Sequence, residues 1–123
     1  MLIVDDQMCI ARAVACLLEE AREAEVKVVS RGEQALELAG CWRPHLILVD
    51  VQMPGMPPLQ LCRLLRGTPC LAEVPIYLFT GLLPDNVELT PLLAEVQGLI
   101  SKPPDPTELM ELVDAAAPPR CLW

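Results

Sequence analysis

Five apolar runs of strand length alternate with helical patterns along almost the whole of this chain. The runs lie at about 1–4, 26–29, 46–49, 74–79 and 98–101. Strands that alternate with helices in this way form a parallel sheet with helices packed on both of its faces. We therefore predict an α/β fold, a doubly wound five-stranded parallel sheet of five βα units.

The character of each run indicates its place in the sheet. The runs at 1–4, 46–49 and 74–79 are almost continuously apolar, which is typical of central strands that are covered on both faces. Val26, Lys27 and Val28 alternate between apolar and charged, which suits an edge strand. These features agree with the strand order 2-1-3-4-5.

Two helices carry clear start signals. Ser30 with Glu33 forms a capping-box pattern, and Gly40 offers a stop for that helix. Asp105 followed by Pro106 predicts the start of the last helix.

The fourth helix has a weak pattern. Pro91 would break a helix that ran through 86–96, because proline lacks the N–H donor and clashes with the preceding turn. With Thr90 as its N-cap, a short helix at about 91–96 is the prediction, in an otherwise irregular region.

Polar side chains stand where four of the apolar runs end. They are Asp5 and Asp6, Asp50, Thr80 and Lys102. In open α/β sheets, ligands bind at the edge formed by the carboxyl ends of the strands. Three acids, one hydroxyl and one amine at that edge predict a site for a divalent cation and a phosphoryl group.

Electrostatics favour a bound cation in this cluster. Two carboxylates 4 Å apart repel by about 4 kcal/mol at an effective dielectric constant near 20, and an all-oxygen site suits Mg²⁺. Lys102 supplies a positive charge for a phosphate, and Gly81 leaves the entrance free of a side chain. Asp50 is then available as a nucleophile that attacks phosphorus.

Length and composition limit the other classes of function. The chain has 123 residues, which suits one domain, and we expect that domain to span 1–117 with a tail or linker at 118–123. The net charge of −8 disfavours a nucleic-acid surface, and no apolar stretch is long enough to span a membrane. The six cysteines have no zinc spacing, so we expect small buried side chains in a reducing cytoplasm.

Four short motifs give the chain a resemblance to a known family. They are I-V-D-D at 3–6, L-V-D-V-Q-M-P-G-M at 48–56, F-T-G at 79–81 and S-K-P at 101–103. In this order and at these separations they resemble the response-regulator receiver domains of bacterial two-component signalling. The resemblance covers nearly the whole chain and implies the flavodoxin-like receiver topology.

The resemblance also implies a role for each matching position. Asp50 matches the phosphoacceptor, Asp6 the direct magnesium ligand and Asp5 the acid that holds the ion, often through water. Gln52 matches the residue whose backbone carbonyl completes the metal site, which accepts Mg²⁺ or Mn²⁺.

Two further positions match the part of the family site that responds to phosphorylation. Thr80 matches the hydroxyl that moves toward the phosphoryl group, with Gly81 beside it. Lys102 matches the lysine that pairs with that group, and Lys102-Pro103 matches a peptide bond that is usually cis.

The chain departs from the family pattern on the side that faces partners. Leu99 stands where the family usually has a switch aromatic, and Pro91 interrupts the fourth helix. Pro57-Pro58 and Pro104 are further departures nearby. Leu99 and Pro91 therefore mark an altered output face, and none of these changes touches the phosphorylation residues.

Three classes of function follow. The first is a non-enzymatic phosphoacceptor switch that takes its phosphoryl group from a histidine kinase or phosphotransfer protein and signals to an effector domain or protein, with a homodimer as an additional partner. The alternative is a receiver that binds proteins independently of phosphorylation. The third is an enzyme, either an aspartyl-phosphate phosphatase, which Gln52 disfavours because that family has a second Asp there, or a flavin-binding protein, which the missing phosphate loop disfavours.

Overall fold

A computed structural model describes residues 1–22, 25–42, 44–53, 55–81, 89–102 and 104–116. The strands are β1 (Leu2–Val4), β2 (Lys27–Val29), β3 (Ile47–Asp50), β4 (Ile76–Thr80) and β5 (Gly98–Ser101). The helices are α1 (Met8–Arg22), α2 (Gly32–Trp42), α3 (Pro58–Gly67), α4 (Thr90–Leu93) and α5 (Pro106–Ala116). A short 3₁₀ helix, Pro69–Leu71, follows α3.

The sheet confirms the predicted fold class and topology. All its strand pairs are parallel, and its strand order is β2-β1-β3-β4-β5. Every residue of β1 and β3 is buried, whereas the three residues of β2 are only partly buried, as an edge strand predicts. Asp50 at the end of β3 pairs in register with Phe79, and Thr80 pairs with Ser101.

Alternate side chains of the strands build one core on each face of the sheet. On one face, α2 and α3 pack through Ala35, Ala39, Leu61 and Leu65. On the other face, α1 and α5 pack on the sheet through a second set of apolar residues, including Ala11, Val14, Leu18 and Leu109. With both faces covered, the carboxyl edge of the sheet is where polar side chains can meet solvent.

Helix α2 differs from its prediction at both ends. It continues past Gly40 to Trp42, so the predicted stop at Gly40 is wrong. A glycine inside a helix costs about 1 kcal/mol, but Trp42 packs against the core and its ring lies 5.2 Å from the Lys27 ammonium. At the start, the backbone N–H of Ser30 donates to Gln34 Oε1 at 3.3 Å, so Gln34 takes the position expected of Glu33.

Helix α4 is short, as predicted, but its bounds differ. It comprises Thr90–Leu93, with Leu89 at the N-cap position, so the prediction of a Thr90 cap is wrong. It ends before residue 96 because the chain turns there into β5. Gln97 bonds to both backbone groups of Ile76, its N–H donating to the carbonyl (2.9 Å) and its Oε1 accepting from the N–H (2.7 Å).

The last helix starts where the sequence predicts. Asp105 caps α5 by accepting the backbone N–H of Thr107 at 2.9 Å. The predicted domain end at residue 117 and the tail at 118–123 lie outside the described residues and stay predictions.

Four of the six cysteines contradict the prediction of buried side chains, and Cys121 lies outside the described residues. Cys62 is buried, but Cys9, Cys16, Cys41 and Cys70 are exposed, and all five are free thiols. A small side chain fits a helix surface as readily as a core, so composition alone did not separate the two. In the described part of the chain, no helix is long and apolar enough to cross a membrane.

Candidate functional site

The fold brings the predicted acids to one point at the carboxyl edge of the sheet. Asp5 follows β1, Asp50 is the last residue of β3, and these two strands are hydrogen-bonded neighbours. One carboxylate oxygen from each of Asp5, Asp6 and Asp50 lies within 4.8 Å of the others. The chain therefore concentrates three acids in a single pocket.

The Asp5 carboxylate is fixed from its own loop and is fully buried. Its Oδ1 accepts the backbone N–H of Gln7, two residues later, at 2.9 Å. Its Oδ2 is also buried and accepts no hydrogen bond of normal geometry from the described residues. A buried carboxylate oxygen in that state requires a counter-charge.

Asp50 is oriented by the same local geometry. Its Oδ1 accepts the backbone N–H of Gln52 at 3.0 Å, and the side chain is buried. Burial raises the pKa of Asp50 to about 6, and the nearby Asp5 carboxylate adds to this effect. The Gln52 N–H and the Lys102 ammonium act in the opposite direction. Loss of the proton at neutral pH therefore leaves a poorly solvated carboxylate beside another acid.

Lys102 provides the positive charge of the pocket. It follows β5, and its Nζ lies 2.9 Å from Asp5 Oδ2 and 3.5 Å from Asp50 Oδ1. Nζ also donates to Gln7 Oε1 at 2.9 Å and lies 4.9 Å from the centre of the Phe79 ring. One ammonium thus faces two buried carboxylates, an amide oxygen and an aromatic face.

Thr80 and Gly81 form the side of the pocket next to Lys102. Thr80 ends β4 and is buried, and its carbonyl accepts the backbone N–H of Lys102 at 2.9 Å. Gly81 is exposed. Among the described residues, the nearest atom to a Cβ at Gly81 would be the Lys102 carbonyl oxygen at 3.9 Å, an ordinary contact, so packing against them does not require glycine.

The donor set of the pocket fits a hard divalent cation. Three carboxylates meet, the side chains of Asp6 and Gln52 are exposed to solvent, and one buried oxygen of Asp5 has no normal hydrogen bond. Mg²⁺ prefers oxygen ligands, keeps several of its waters and uses one or two carboxylates. An opening that combines buried and exposed carboxylates suits that coordination.

The two residues predicted for the output face lie away from the acids. Leu99 is half-buried and packs against the buried cluster of Leu78, Leu89 and Leu92. Pro91 is exposed on α4. Leu99, in β5, therefore joins α4 to the sheet through these apolar contacts. The predicted cis peptide bond at Pro103 lies outside the described residues.

The sequence analysis gave neither Gln7 nor Phe79 a role beside Lys102, although both contact its ammonium. Phe79 has the signature of an ordinary core residue, and Gln7 lies in a turn with no motif of its own. Only the placement of Asp5 two residues earlier, an acid that bonds the Gln7 N–H, signals that this turn belongs to the pocket.

Three comparisons agree with this geometry. Residues 1–114 match the family model of the response regulator receiver domain. The chain is 35% identical over 109 residues to the cyclic di-GMP phosphodiesterase response regulator RpfG of Xanthomonas campestris pv. campestris, covering 87% of this chain and 29% of RpfG. It is 33% identical over 115 residues to the DNA-binding response regulator MtrA of Mycobacterium tuberculosis, covering 93% of this chain and 48% of MtrA.

A solved structure gives the same fold. The chemotaxis response regulator CheY4 of Vibrio cholerae superposes with a TM-score of 0.83 at 26% identity, over 94% of this chain and 96% of CheY4. The chain spans less than half the length of the two curated relatives, RpfG and MtrA.

Proposed function

This chain belongs to the family of response regulator receiver domains, and on that premise we propose that it is a signalling switch which accepts a phosphoryl group on Asp50. The observation that carries the proposal is the meeting of Asp5, Asp6 and Asp50, with the Lys102 ammonium against Asp5 and Asp50. A receiver domain by itself is a switch and not an enzyme with an external substrate.

The chemical step begins with the Asp50 carboxylate. One of its oxygens bonds to phosphorus while the phosphorus–nitrogen bond of a donor phosphohistidine breaks. The departing imidazole keeps the electron pair and takes up a proton. Hydrolysis later breaks the new phosphorus–oxygen bond by attack of water, which regenerates the carboxylate and releases inorganic phosphate. The bond from the Gln52 N–H orients Asp50 for this attack.

The acids of the pocket would hold the metal ion. Asp6, Asp50 and the backbone carbonyl of Gln52 are the proposed direct ligands, and Asp5 holds the ion through water. Mg²⁺, or Mn²⁺ in its place, supplies charge neutralisation for the acids and for the phosphoryl oxygens when bound. The meeting of three carboxylate oxygens within 4.8 Å of one another supports this assignment.

Lys102 and Thr80 would recognise the transferred group. The ammonium is already withdrawn from solvent beside Asp50 and can donate to a phosphoryl oxygen without a large movement. Thr80 ends the neighbouring strand, and its hydroxyl is the proposed second donor, with exposed Gly81 leaving the approach open.

The new charge would alter the region that joins the pocket to α4. A phosphoryl group adds nearly two negative charges, and Thr80 and Leu78 lie on the same strand, β4. Leu78 packs with Leu99, Leu89 and Leu92, so a shift of β4 reaches α4 through apolar contacts. A small helix held by few residues is a suitable two-state element.

The partners follow from the switch and from the relatives. We propose a histidine kinase or phosphotransfer protein as the donor, in the cytoplasm, and an effector protein or an attached effector domain as the target. The relatives include a phosphodiesterase and a DNA-binding regulator, each more than twice as long as the matched region. A homodimer is a further proposal.

Phosphorylation from a small donor tests the proposal. Wild type is incubated with acetyl phosphate, with and without MgCl₂, and the phosphorylated fraction is separated by electrophoresis on a phosphate-affinity gel. We expect a phosphorylated fraction in wild type that requires Mg²⁺. It should be absent in Asp50→Asn and present in Asp114→Asn, which changes a control acid on α5. Equal phosphorylation of wild type and Asp50→Asn would contradict the proposal. If wild type is not phosphorylated, and a partner binds equally well with and without the phosphoryl donor, the phosphorylation-independent receiver is favoured.

A further inference from the structure

The side chain of Gln7 accepts a hydrogen bond from the Lys102 ammonium. Its Oε1 accepts from Nζ at 2.9 Å, the same distance that separates Nζ from Asp5 Oδ2. Among the described residues, the other neighbours of the ammonium are two buried carboxylates and the buried face of Phe79. Gln7 is the uncharged and solvent-exposed member of this set.

The ammonium and a divalent cation compete for the same carboxylates. Nζ lies against Asp5 Oδ2 and near Asp50 Oδ1, and both acids belong to the proposed metal cluster. Two like charges within a few ångströms repel strongly in a partly buried pocket. Lys102 must therefore weaken its contact with the acids when the cation is bound, and it then needs another acceptor.

We propose that Gln7 is a positioning residue: its amide oxygen keeps a hydrogen bond to the Lys102 ammonium while the carboxylates coordinate a divalent cation. This inference rests on the proposed function. The amide oxygen carries no formal charge, so it holds the ammonium without attracting the cation as a fourth carboxylate would. The ammonium stays within reach of Asp50, ready to donate to a phosphoryl oxygen.

The geometry gives Gln7 a second tie to the same pocket. Its backbone N–H fixes Asp5 Oδ1 at 2.9 Å, and its carbonyl accepts the N–H of Ala11 in the first turn of α1. The backbone of Gln7 is thus fixed independently of its side chain. Replacement of the side chain should leave the fold and the Asp5 orientation in place.

Isothermal titration with MgCl₂ at pH 8 tests this role without any phosphoryl transfer. We expect Gln7→Leu to bind Mg²⁺ about three- to tenfold more weakly than wild type, the net effect of losing one ordinary, solvent-exposed hydrogen bond. Gln7→Glu retains an acceptor oxygen and should bind at least as tightly as wild type. Gln60→Leu, on the exposed side of α3, is the matched control and should match wild type.

A double-mutant cycle separates this role from a structural one. Lys102→Met removes the competing ammonium and should bind Mg²⁺ more tightly than wild type, and Gln7→Leu should have no further effect in that background. If Gln7→Leu weakens Mg²⁺ binding equally with and without Lys102, or in neither background, the proposed role of Gln7 is wrong. That result would leave the proposed function untouched. Failure of wild type to bind Mg²⁺ would overturn the proposed function as well.

Discussion

The Lys102 ammonium lies 2.9 Å from Asp5 Oδ2, and only 10% of the lysine side chain and none of the aspartate side chain are exposed. An ion pair this far from solvent is costly to break, because removal of one member leaves a buried charge without a partner. The pair closes the pocket across β1 and β5, which are not neighbours in the sheet. It therefore ties together both sides of the site.

Removal of this lysine should destabilise the metal-free protein. We expect Lys102→Met to lower the free energy of unfolding by about 3 kcal/mol at pH 7, because Asp5 loses its counter-charge. Urea denaturation measures the change, and added Mg²⁺ should restore part of the loss. Lys27→Met, which removes a cation over Trp42, is the control and should cost about 1 kcal/mol or less. Equal losses in both variants would contradict the special burial of the Lys102 pair.

Removal of the Asp50 charge should stabilise the metal-free protein. Because burial and Asp5 raise the pKa of Asp50 to about 6, above its ordinary value of 3.8, ionisation in the folded state lowers stability as pH rises from about 4 to about 6. Asp50→Asn should therefore melt at the same temperature as wild type below pH 4 and about 5–10 °C higher above pH 6.

Thermal melts of both proteins across pH 3.5 to about 8 without Mg²⁺ check this pattern. Glu37→Gln, an exposed acid on α2, is the control and should shift the melting temperature little at any pH. A gain from Asp50→Asn that is the same at pH 4 and pH 7 would show that charge is not its cause.

The cysteines should differ sharply in reactivity. Burial raises the pKa of the Cys62 thiol to about 11, whereas Cys9, Cys16, Cys41 and Cys70 are exposed. At pH 8 a disulfide reagent should modify the exposed thiols within minutes and Cys62 only when the protein unfolds. Peptide mapping against time distinguishes the sites, and Mg²⁺ should slow the modification of Cys62 further. Fast modification of Cys62 in the folded protein would contradict the close packing of α3 against the sheet.

Two arginines one turn apart on α3 should contribute very differently to stability. Arg66 donates to the carbonyls of Ala72 and Val74 and to Oε1 of Gln97, which itself bonds β4. Within the described part of the chain, Arg63 pairs only with Glu95, and its side chain is 62% exposed. We expect Arg66→Ala to cost about 2 kcal/mol and Arg63→Ala less than about 1 kcal/mol in urea denaturation. Similar costs would contradict the bridging role of Arg66.

The positions of the acids were predictable from sequence because strand ends meet at one edge of a parallel sheet. Asp50 and Thr80 each end an apolar run, and Lys102 follows one, so the strand order alone places them together. The partners of Lys102 were less predictable. Gln7 and Phe79 contact it through side-chain directions that no sequence spacing encodes.

Helix ends show the same limit. The Asp105 cap of α5 was predictable because a side chain bonds a backbone group two residues away. The end of α4 depends instead on bonds between Gln97 and Ile76, which are distant in sequence. The extension of α2 beyond Gly40 depends on the packing of Trp42. Tertiary contacts decide these boundaries, and local patterns cannot reveal them.

Chemical mapping of the phosphoryl group tests the central claim most directly. After treatment with acetyl phosphate and Mg²⁺, borohydride reduction converts an aspartyl phosphate to homoserine, which tandem mass spectrometry locates. We predict homoserine at residue 50 alone, and none when Mg²⁺ is replaced by a chelator. Homoserine at Asp5, Asp6 or elsewhere, or at residue 50 in equal amount without Mg²⁺, would contradict the account.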